Sequence, residues 1–202
     1  MPGNLEEAVG RTSGPQPMRR LFHAGTGLVI VLAVEVAGLP KRPAIWLLAG
    51  ALAVLAAADV LRARSDVANS LFFRVFRHLA SPRDATGLAS STWYAMGALV
   101  SLALFPYRAA ISAILVLALA DPIASYAGRR WGRIPFLGGS LEGTLIFILV
   151  ALAVLLPRHP PLIAVVTALC AALVERVSWP FDDNFTVPVA TATMLAVLGA
   201  AL

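Results

Sequence analysis

Cysteine, lysine and acidic residues are all scarce in this sequence of 202 residues. The single cysteine, Cys170, excludes a disulfide framework and a cysteine-based metal site. Charged residues make up only 13% of the chain, against about 25% in soluble domains. A water-soluble globule needs a more polar surface than this, and a disordered chain needs fewer apolar residues. The composition therefore excludes both of these classes.

Apolar residues dominate the rest of the chain, at 59% of the sequence with a mean hydropathy of +0.81. About 20 apolar residues cross a bilayer as a helix, and seven runs approach that length. They are residues 21–38, 44–61, 88–105, 109–127, 141–157, 161–177 and 186–202. We predict an all-α polytopic membrane protein of about seven transmembrane helices. A flexible polar N-terminal tail (1–17) would precede a single transmembrane domain (18–202).

The basic residues fall unequally on the two sides of this predicted bundle. If the N-terminus is cytoplasmic, all of the 16 basic residues except Lys41, Arg42, Arg108 and Arg158 lie on the inner side. Because cytoplasmic loops carry the excess of Lys and Arg, we predict a cytoplasmic N-terminus and an external C-terminus. A basic protein of this kind meets anionic lipid, and no nucleic-acid partner is expected.

The inner segment between the second and third runs contains an amphipathic pattern at residues 66–79. Its apolar residues share one helical stripe, namely Val67, Leu71, Phe72, Val75, Phe76 and Leu79. Such a stripe predicts a helix that lies in the membrane interface. The helix would serve either as a lip that admits a lipid or as a plain anchor, and the pattern favours neither.

Ionisable residues at membrane depth are costly, so each needs a reason. Apart from Glu35, nearly all of them fall at the inner ends of the predicted spans. They are His23, Asp59, Asp121, Glu142, Glu175, Asp182 and Asp183. Carboxylates beside arginines are what a site for Mg²⁺ and a nucleotide requires, because carboxylates bind the metal and arginine binds phosphate. A solvated rim of ordinary salt bridges is the alternative.

The segment 121–144 favours the first reading. Glycines alternate there with arginines, at Gly128, Arg129, Arg130, Gly132, Arg133, Gly138, Gly139 and Gly143. Glycine lets the backbone approach a phosphate closely, and arginine binds its oxygens. Gly138, Gly139 and Ser140 lead into a helix N-terminus, where amide groups attract anions. Asp121 would otherwise be the N-cap of a helix beginning at Pro122, and Glu142 a complement to a helix dipole.

The segment 175–188 adds Glu175 and three consecutive polar residues, Asp182, Asp183 and Asn184. Adjacent carboxylates repel, so a nearby cation is expected. The alternative is a turn in which Asn184 or Thr186 caps the last helix. His23 lies one helical turn from Arg19 and Arg20, at the depth of the other candidates, and is otherwise a buried packing group.

Three stretches carry a family resemblance in the same order along the chain. Residues 20–25 are similar to an Arg-Lys-x-x-His-x-x-x-Gly opening, and residues 121–143 to a Gly-Asp…Gly-Arg-x-x-Gly…Glu-Gly core. Residues 175–188 are similar to a Glu…Asp-Asn-x-Thr-x-Pro ending. The chain thus resembles the membrane lipid-alcohol kinases, which include phytol kinase, dolichol kinase and the CTP-dependent diacylglycerol kinase. Two positions depart from the pattern: Ala120 replaces its Gly, and Gly139 or Ser140 replaces its Lys.

The resemblance implies a Mg²⁺-dependent kinase of the cell membrane, multi-pass, whose site faces the cytoplasm. It would transfer a phosphoryl group from CTP or another nucleoside triphosphate to an isoprenoid or other lipid alcohol. By position, the resemblance makes Asp121 and Glu142 metal or catalytic acids and Arg129 and Arg133 phosphate contacts, and Asp183 and Asn184 complete the site. Together with the residue pattern, the predicted catalytic residues are Asp121, Asp183 and His23. The predicted metal ligands are Asp121, Glu142, Glu175, Asp182 and Asp183. The predicted nucleotide or phosphate contacts are Gly128, Arg129, Arg130, Gly132, Arg133, Gly138, Gly139, Ser140 and Asn184.

Two other functions stay open on the sequence. A CTP-dependent lipid-phosphate cytidylyltransferase would use the same nucleotide and a similar acidic core. A small transporter would instead place ionisable residues near mid-bilayer and often shows internal repeats, whereas here the charges lie at one side. The sequence leaves the identity of the alcohol and any homo-oligomer undecided.

Overall fold

The computed structural model describes residues 3–10, 12, 16–177 and 180–201. Nine α-helices are present in these ranges, with one short hairpin. The helices are α1 (Gly3–Gly10), α2 (Pro17–Val31), α3 (Lys41–Arg64), α4 (Asp66–Val75), α5 (Ser90–Leu104), α6 (Tyr107–Trp131), α7 (Leu141–Leu155), α8 (Pro161–Arg176) and α9 (Asp183–Ala201). The strands β1 (Pro135–Phe136) and β2 (Gly139–Ser140) pair antiparallel.

The all-α prediction is confirmed, and each of the seven apolar runs coincides with one helix. Within the described ranges, α3 and α6 are long and apolar enough to cross a membrane. A helix of 15 residues, the length of α5 and α7, extends about 22 Å at ~1.5 Å per residue, less than the ~30 Å hydrocarbon core. The count of seven spans and the orientation stay predictions.

Helix α6 lies at the centre of the bundle and packs against α2, α5, α7 and α9. In an apolar stretch of 18 residues in α6, 61% of the residues are buried. In the corresponding stretch of α3 only 11% are buried, so α3 faces outward. Small residues line the contacts of α6, including Ala110, Ala113, Ala120 and Ala124. Without a hydrophobic drive between helices in lipid, small residues let helices pack by close backbone approach.

Glycines mark two close helix crossings. A Cβ at Gly97 of α5 would lie 2.5 Å from the carbonyl oxygen of Asn184, at the start of α9. A Cβ at Gly128 of α6 would lie 3.3 Å from the Cα of Gly143 in α7. Both crossings lie at the end of the bundle that carries the predicted site, called the polar end below.

Helix α4 forms where the amphipathic pattern predicts it but ends at Val75, four residues early. Asn69 and Phe73 are buried against the bundle, while Val67, Leu71 and Val75 are exposed. The structure thus leaves an apolar stripe on the outer face of α4. Its position in the membrane interface stays a prediction.

The N-terminal tail contains α1, which packs against α4. The Gln16 side-chain amide donates to the carbonyl oxygens of Thr12 and Ala80, at 2.7 and 3.3 Å. Residues 3–10 are therefore helical where the composition suggests a loose tail. The division into a tail and one transmembrane domain stays a prediction.

A buried ion pair ties α3 to the loop that precedes α5. The Arg62 guanidinium donates to Asp59 Oδ1 at 2.5 Å, to Asn69 Oδ1 at 3.1 Å and to the carbonyl oxygen of Asp84 at 2.9 Å. Asp59 Oδ2 accepts from the Ala89 amide and the Thr92 hydroxyl, at 2.9 and 2.7 Å. Asp59, a candidate site residue by its depth, is therefore a structural group.

The Asp84 carboxylate organises the same loop. It accepts from the amide of Ser81 at 2.8 Å, which forms part of a capping box at the start of residues 82–85. It also accepts from the hydroxyl of Ser90, the first residue of α5, at 3.1 Å. Burial raises the pKa of this carboxyl above its ordinary value. The opposite end of the bundle has a separate ion pair between Glu35 and Arg158, which explains why Glu35 lies apart from the other acids.

Asp59→Asn should destabilise the fold, because it leaves the buried Arg62 guanidinium without a counter-charge. Removing one member of a buried ion pair costs about 3–5 kcal/mol. Thermal denaturation of the purified protein in detergent measures this loss. The control is Arg64→Ala, an exposed residue of the same helical turn, which should leave the midpoint within about 1–2 °C. Equal midpoints for the two variants would contradict a structural role for the pair.

Candidate active site

Three carboxylates meet at the polar end, from the second half of α6, the end of α8 and the start of α9. Asp121, Glu175 and Asp183 each offer an oxygen, and these oxygens all lie within 4.8 Å of one another. The Glu175 side chain is only 6% exposed. Because crowded carboxylates repel one another in a low-dielectric setting, this group, called the acidic triad below, suits a hard divalent cation with oxygen ligands.

The reading of Asp121 as an N-cap is wrong, because α6 continues through Pro122. Asp121 instead lies inside the helix and accepts a hydrogen bond from the Ser125 hydroxyl at 3.4 Å. Asp182, rather than Asn184 or Thr186, caps α9, since its Oδ1 accepts from the Asn184 amide at 3.0 Å.

A chain of side-chain hydrogen bonds orients His23. Asn184 Nδ2 donates to Asp182 Oδ1 at 2.5 Å. The other side-chain atom of Asn184, Oδ1, therefore faces His23 Nδ1, at 3.0 Å. A carbonyl oxygen only accepts, and therefore Nδ1 carries the proton and Nε2 is the basic nitrogen. The Tyr94 ring packs edge-on against the imidazole, with centroids 5.1 Å apart. The sequence predicted His23 and Asn184 as site residues but not this contact between them.

A cavity of about 340 Å³, called the polar cavity, brings these groups together. His23, Asp121, Asp183 and Asn184 line it, with Arg19 and Arg129. Arg19 is held in place, because its guanidinium donates to Gln16 Oε1 at 2.9 Å and to Ser90 Oγ at 2.5 Å. With Asp182, Arg20 and Arg83, which also line it, the cavity offers a basic nitrogen, three carboxylates and four guanidinium groups to a ligand.

A second cavity of about 550 Å³, the glycine cavity, lies between the end of α6, the hairpin and the end of α8. It contains the predicted phosphate contacts Gly128, Arg129, Gly132, Arg133, Gly138, Gly139 and Ser140. Arg83 and Arg176 also line it. These two arginines are not among the phosphate contacts predicted from the sequence, although Arg176 directly follows the candidate Glu175.

The hairpin turns through Leu137 and Gly138, whose φ angles of 42° and 76° are both positive. Two positive φ values are typical of a type I′ turn, where glycine is favoured. The Ser140 hydroxyl accepts from the Gly143 amide at 3.1 Å and caps α7. The cap therefore satisfies one of the amides that would otherwise be free to bind an anion at this helix N-terminus.

Glu142 and Arg130 lie apart from the acidic triad, whereas Asp182 adjoins it and lines the polar cavity. Glu142 accepts hydrogen bonds from the amides of Arg133 and Ile134, at 2.9 and 3.3 Å, and so holds the loop before the hairpin. Asp182 is engaged with Asn184. Arg130 lines a groove between α2 and α6 and does not line the polar or glycine cavity. The metal and phosphate roles of all these residues stay predictions.

Comparison with known proteins gives one informative match. The chain is 25% identical to the "CTP-dependent diacylglycerol kinase 1" of Schizosaccharomyces pombe over 161 residues, which cover 69% of this chain and 74% of that protein. The resemblance to the lipid-alcohol kinases is confirmed. It is a distant relationship at this identity. No family model and no solved structure matches the chain.

The acidic triad predicts where a divalent cation binds. Asp183→Asn should weaken Mn²⁺ binding to the purified protein by at least about tenfold, or about 1.4 kcal/mol, because one charged ligand is lost. Electron paramagnetic resonance of free Mn²⁺ measures the titration. Glu142→Gln is the matched control and should bind as wild type does. Loss of binding in Glu142→Gln with none in Asp183→Asn would place the metal at the hairpin instead.

Proposed function

We propose that the protein is a membrane-embedded kinase that transfers the γ-phosphoryl group of CTP, or of another nucleoside triphosphate, to the hydroxyl of a lipid alcohol. The observation that carries this proposal is the position of the acidic triad. Asp121 and Asp183 line the polar cavity, and Glu175 lines the glycine cavity. A cation bound by the three carboxylates would therefore lie between an acceptor in the polar cavity and a phosphate donor in the glycine cavity.

The glycine cavity suits the donor phosphates. Arg83, Arg129, Arg133 and Arg176 supply planar donors that bind phosphate oxygens in pairs. A triphosphate carries several negative charges, and the acidic triad alone would repel it. The arginines offset this repulsion, as cationic groups do in other phosphoryl-transfer sites.

Arg176 explains one departure from the family pattern. The pattern has a Lys where this chain has Gly139 or Ser140. A Cβ at Gly139 would overlap Nη1 of Arg176, so the guanidinium occupies the space that a side chain would need. The same guanidinium donates to both carboxylate oxygens of Glu175. We infer that Arg176 supplies the cation that the missing Lys would provide.

The polar cavity suits the acceptor hydroxyl. The hydroxyl oxygen attacks the γ-phosphorus, the bond from that phosphorus to the β-phosphate oxygen breaks, and the nucleoside diphosphate leaves. The hydroxyl proton passes to a base of this cavity, which contains Asp121, Asp183 and the Nε2 of His23. In a loose transition state the base mainly orients the nucleophile, so holding the hydroxyl is its principal task.

Mg²⁺ fits the acidic triad, and Asp121, Glu175 and Asp183 would hold it. When bound, it would neutralise charge on the transferred phosphoryl group. The similarity to a diacylglycerol kinase supports an alcohol as the acceptor. We propose an isoprenoid alcohol or another long-chain lipid alcohol, presented at the cytoplasmic face of a multi-pass protein in the cell membrane.

Neutralising the triad should slow transfer strongly. Asp183→Asn and Asp121→Asn should each lower kcat by about a hundred- to a thousandfold, the range seen when one preorganised electrostatic contact is removed. EDTA should have the same effect on wild type. The assay uses labelled CTP and ATP with phytol, polyprenol and diacylglycerol in micelles. Asp66→Asn, an exposed acid on α4, is the control and should stay active.

The products of that assay separate the three functions. A kinase yields CDP and a lipid phosphate, whereas a cytidylyltransferase releases pyrophosphate from a lipid-phosphate substrate. No Mg²⁺-dependent lipid phosphate from any donor and acceptor pair would refute the kinase. Uptake of a solute into liposomes without any transfer would indicate a transporter.

Arg176 should act on the donor rather than the acceptor. Gly139→Val would push its guanidinium away from the cavity, and we expect KM for CTP to rise about tenfold or more, the loss of one charge-assisted contact of ~1.5 kcal/mol. KM for the lipid should change little. Gly38→Ala, at a glycine of the opposite end with a positive φ, controls for general strain. An unchanged KM for CTP in Gly139→Val would remove Arg176 from the donor site.

A further inference from the structure

Besides the polar cavity and the glycine cavity, a depression of about 610 Å³ opens between α2 and α6 on the outer surface of the bundle. Its apolar walls are Leu21 and Ala24 on α2 and Leu119, Pro122, Ile123 and Tyr126 on α6. Leu21, Ile123 and Tyr126 are exposed. We call this depression the α2–α6 groove. In a membrane, its open side faces hydrocarbon.

The groove begins where the two helices touch. A Cβ at Gly27 would overlap both the Tyr94 hydroxyl and the Cβ of Ala118, so α2 and α6 are in direct contact at that level. Ala118 lines the closed end of the groove. From there the groove runs toward the polar end, where Arg20, Arg129 and Arg130 line it.

The groove adjoins the polar cavity, because Gln16, Arg20 and Arg129 line both spaces. Helices α2 and α6 form a common wall between the two spaces. On α6, Asp121 and Ser125 line the cavity while Pro122 and Ile123 line the groove. A molecule lying in the groove therefore has its polar-end terminus next to Arg20 and Arg129, which also line the polar cavity.

The distribution of charge along the groove matches a molecule with one polar end and one apolar end. The end of the groove nearest the polar cavity carries three guanidinium groups, and the remainder is apolar. This gradation matches a single long hydrocarbon chain with a hydroxyl that becomes a phosphate during the reaction. The arginines then face the new anion, and the chain packs its methylene groups against the apolar walls by van der Waals contact.

We propose that the α2–α6 groove binds the hydrocarbon tail of the acceptor alcohol and guides its hydroxyl into the polar cavity from the side. This inference rests on the kinase function proposed above and adds the place of the acceptor. It assigns acceptor recognition to α2 and α6 rather than to the amphipathic helix α4. None of the residues of α4 lines the groove or the polar cavity.

Filling the groove should discriminate acceptors by length. Ala24→Trp places an indole in it, and Leu119→Trp fills it from the facing helix as a second variant. Val29→Trp is the control, since Val29 is an exposed residue of α2 outside the groove. Each protein is assayed with whichever long acceptor wild type phosphorylates, phytol or dioleoylglycerol, and with its short analogue, prenol or dibutyrylglycerol.

We expect Ala24→Trp to raise KM for the long acceptor by about tenfold or more, because the indole occupies the space in which the tail packs. The short acceptor and CTP should keep their wild-type kinetics. Val29→Trp should behave as wild type with every substrate. Equal kinetics for Ala24→Trp and Val29→Trp would overturn the groove while leaving the kinase intact.

Photolabelling separates the groove from the kinase function, because it needs no turnover. Wild type in nanodiscs is irradiated with a farnesol analogue that carries a tail diazirine, and the labelled peptide is identified by mass spectrometry. We expect label on residues 118–126, competed by farnesol and lost in Ala24→Trp. Specific label without any transfer would support the groove and refute the kinase. Equal labelling by a diazirine phospholipid would overturn the groove as an acceptor site.

Discussion

Carboxylates crowded together at the end of an apolar bundle are the constraint on which the rest of this structure depends. Asp121, Glu175 and Asp183 come from three helices, and each would be costly alone at that depth. They can share one place only if their helices approach closely, which explains the alanines along α6 and the glycines at the crossings. Small residues are thus a requirement of the site as well as of the packing.

Cations are arranged around this group from several directions. Arg19 is fixed by Gln16 and Ser90, and Arg176 lies over Gly139 beside Glu175. Arg83 follows Pro82 in the loop that the Asp59–Arg62 pair holds. The polar end therefore contains two groups of charges, the buried Asp59–Arg62 pair and the arginines around the acidic triad. The buried pair holds the loop that carries Arg83 and so helps to position the second group.

The sequence predicted the helices well because their signal is local. Each apolar run is long enough to identify a helix, and the depth of the ionisable residues indicated which ends would meet. The prediction was weaker for side-chain partners. Glu142 binds loop amides, a contact that spacing alone does not encode. Asp59 and Arg62 stand three residues apart in α3, a spacing that favours their ion pair, but the depth of Asp59 suggested a site residue instead. Pro122 suggested a helix start, but packing of α6 against four helices keeps it continuous.

The burial of α3 and α6 differs several-fold although both are long and apolar. A lipid-facing position asks only for hydrocarbon, and Leu, Val, Ile or Phe serve equally well there. An alanine of α6 has no such freedom, since a larger side chain would push a neighbouring helix and the acid it carries. Over evolutionary time, the outward residues of α3 can therefore change freely, while its Asp59–Arg62 pair cannot. Helix α6 has few such free positions, so divergent relatives should be alignable along the whole of α6 but only at the polar end of α3.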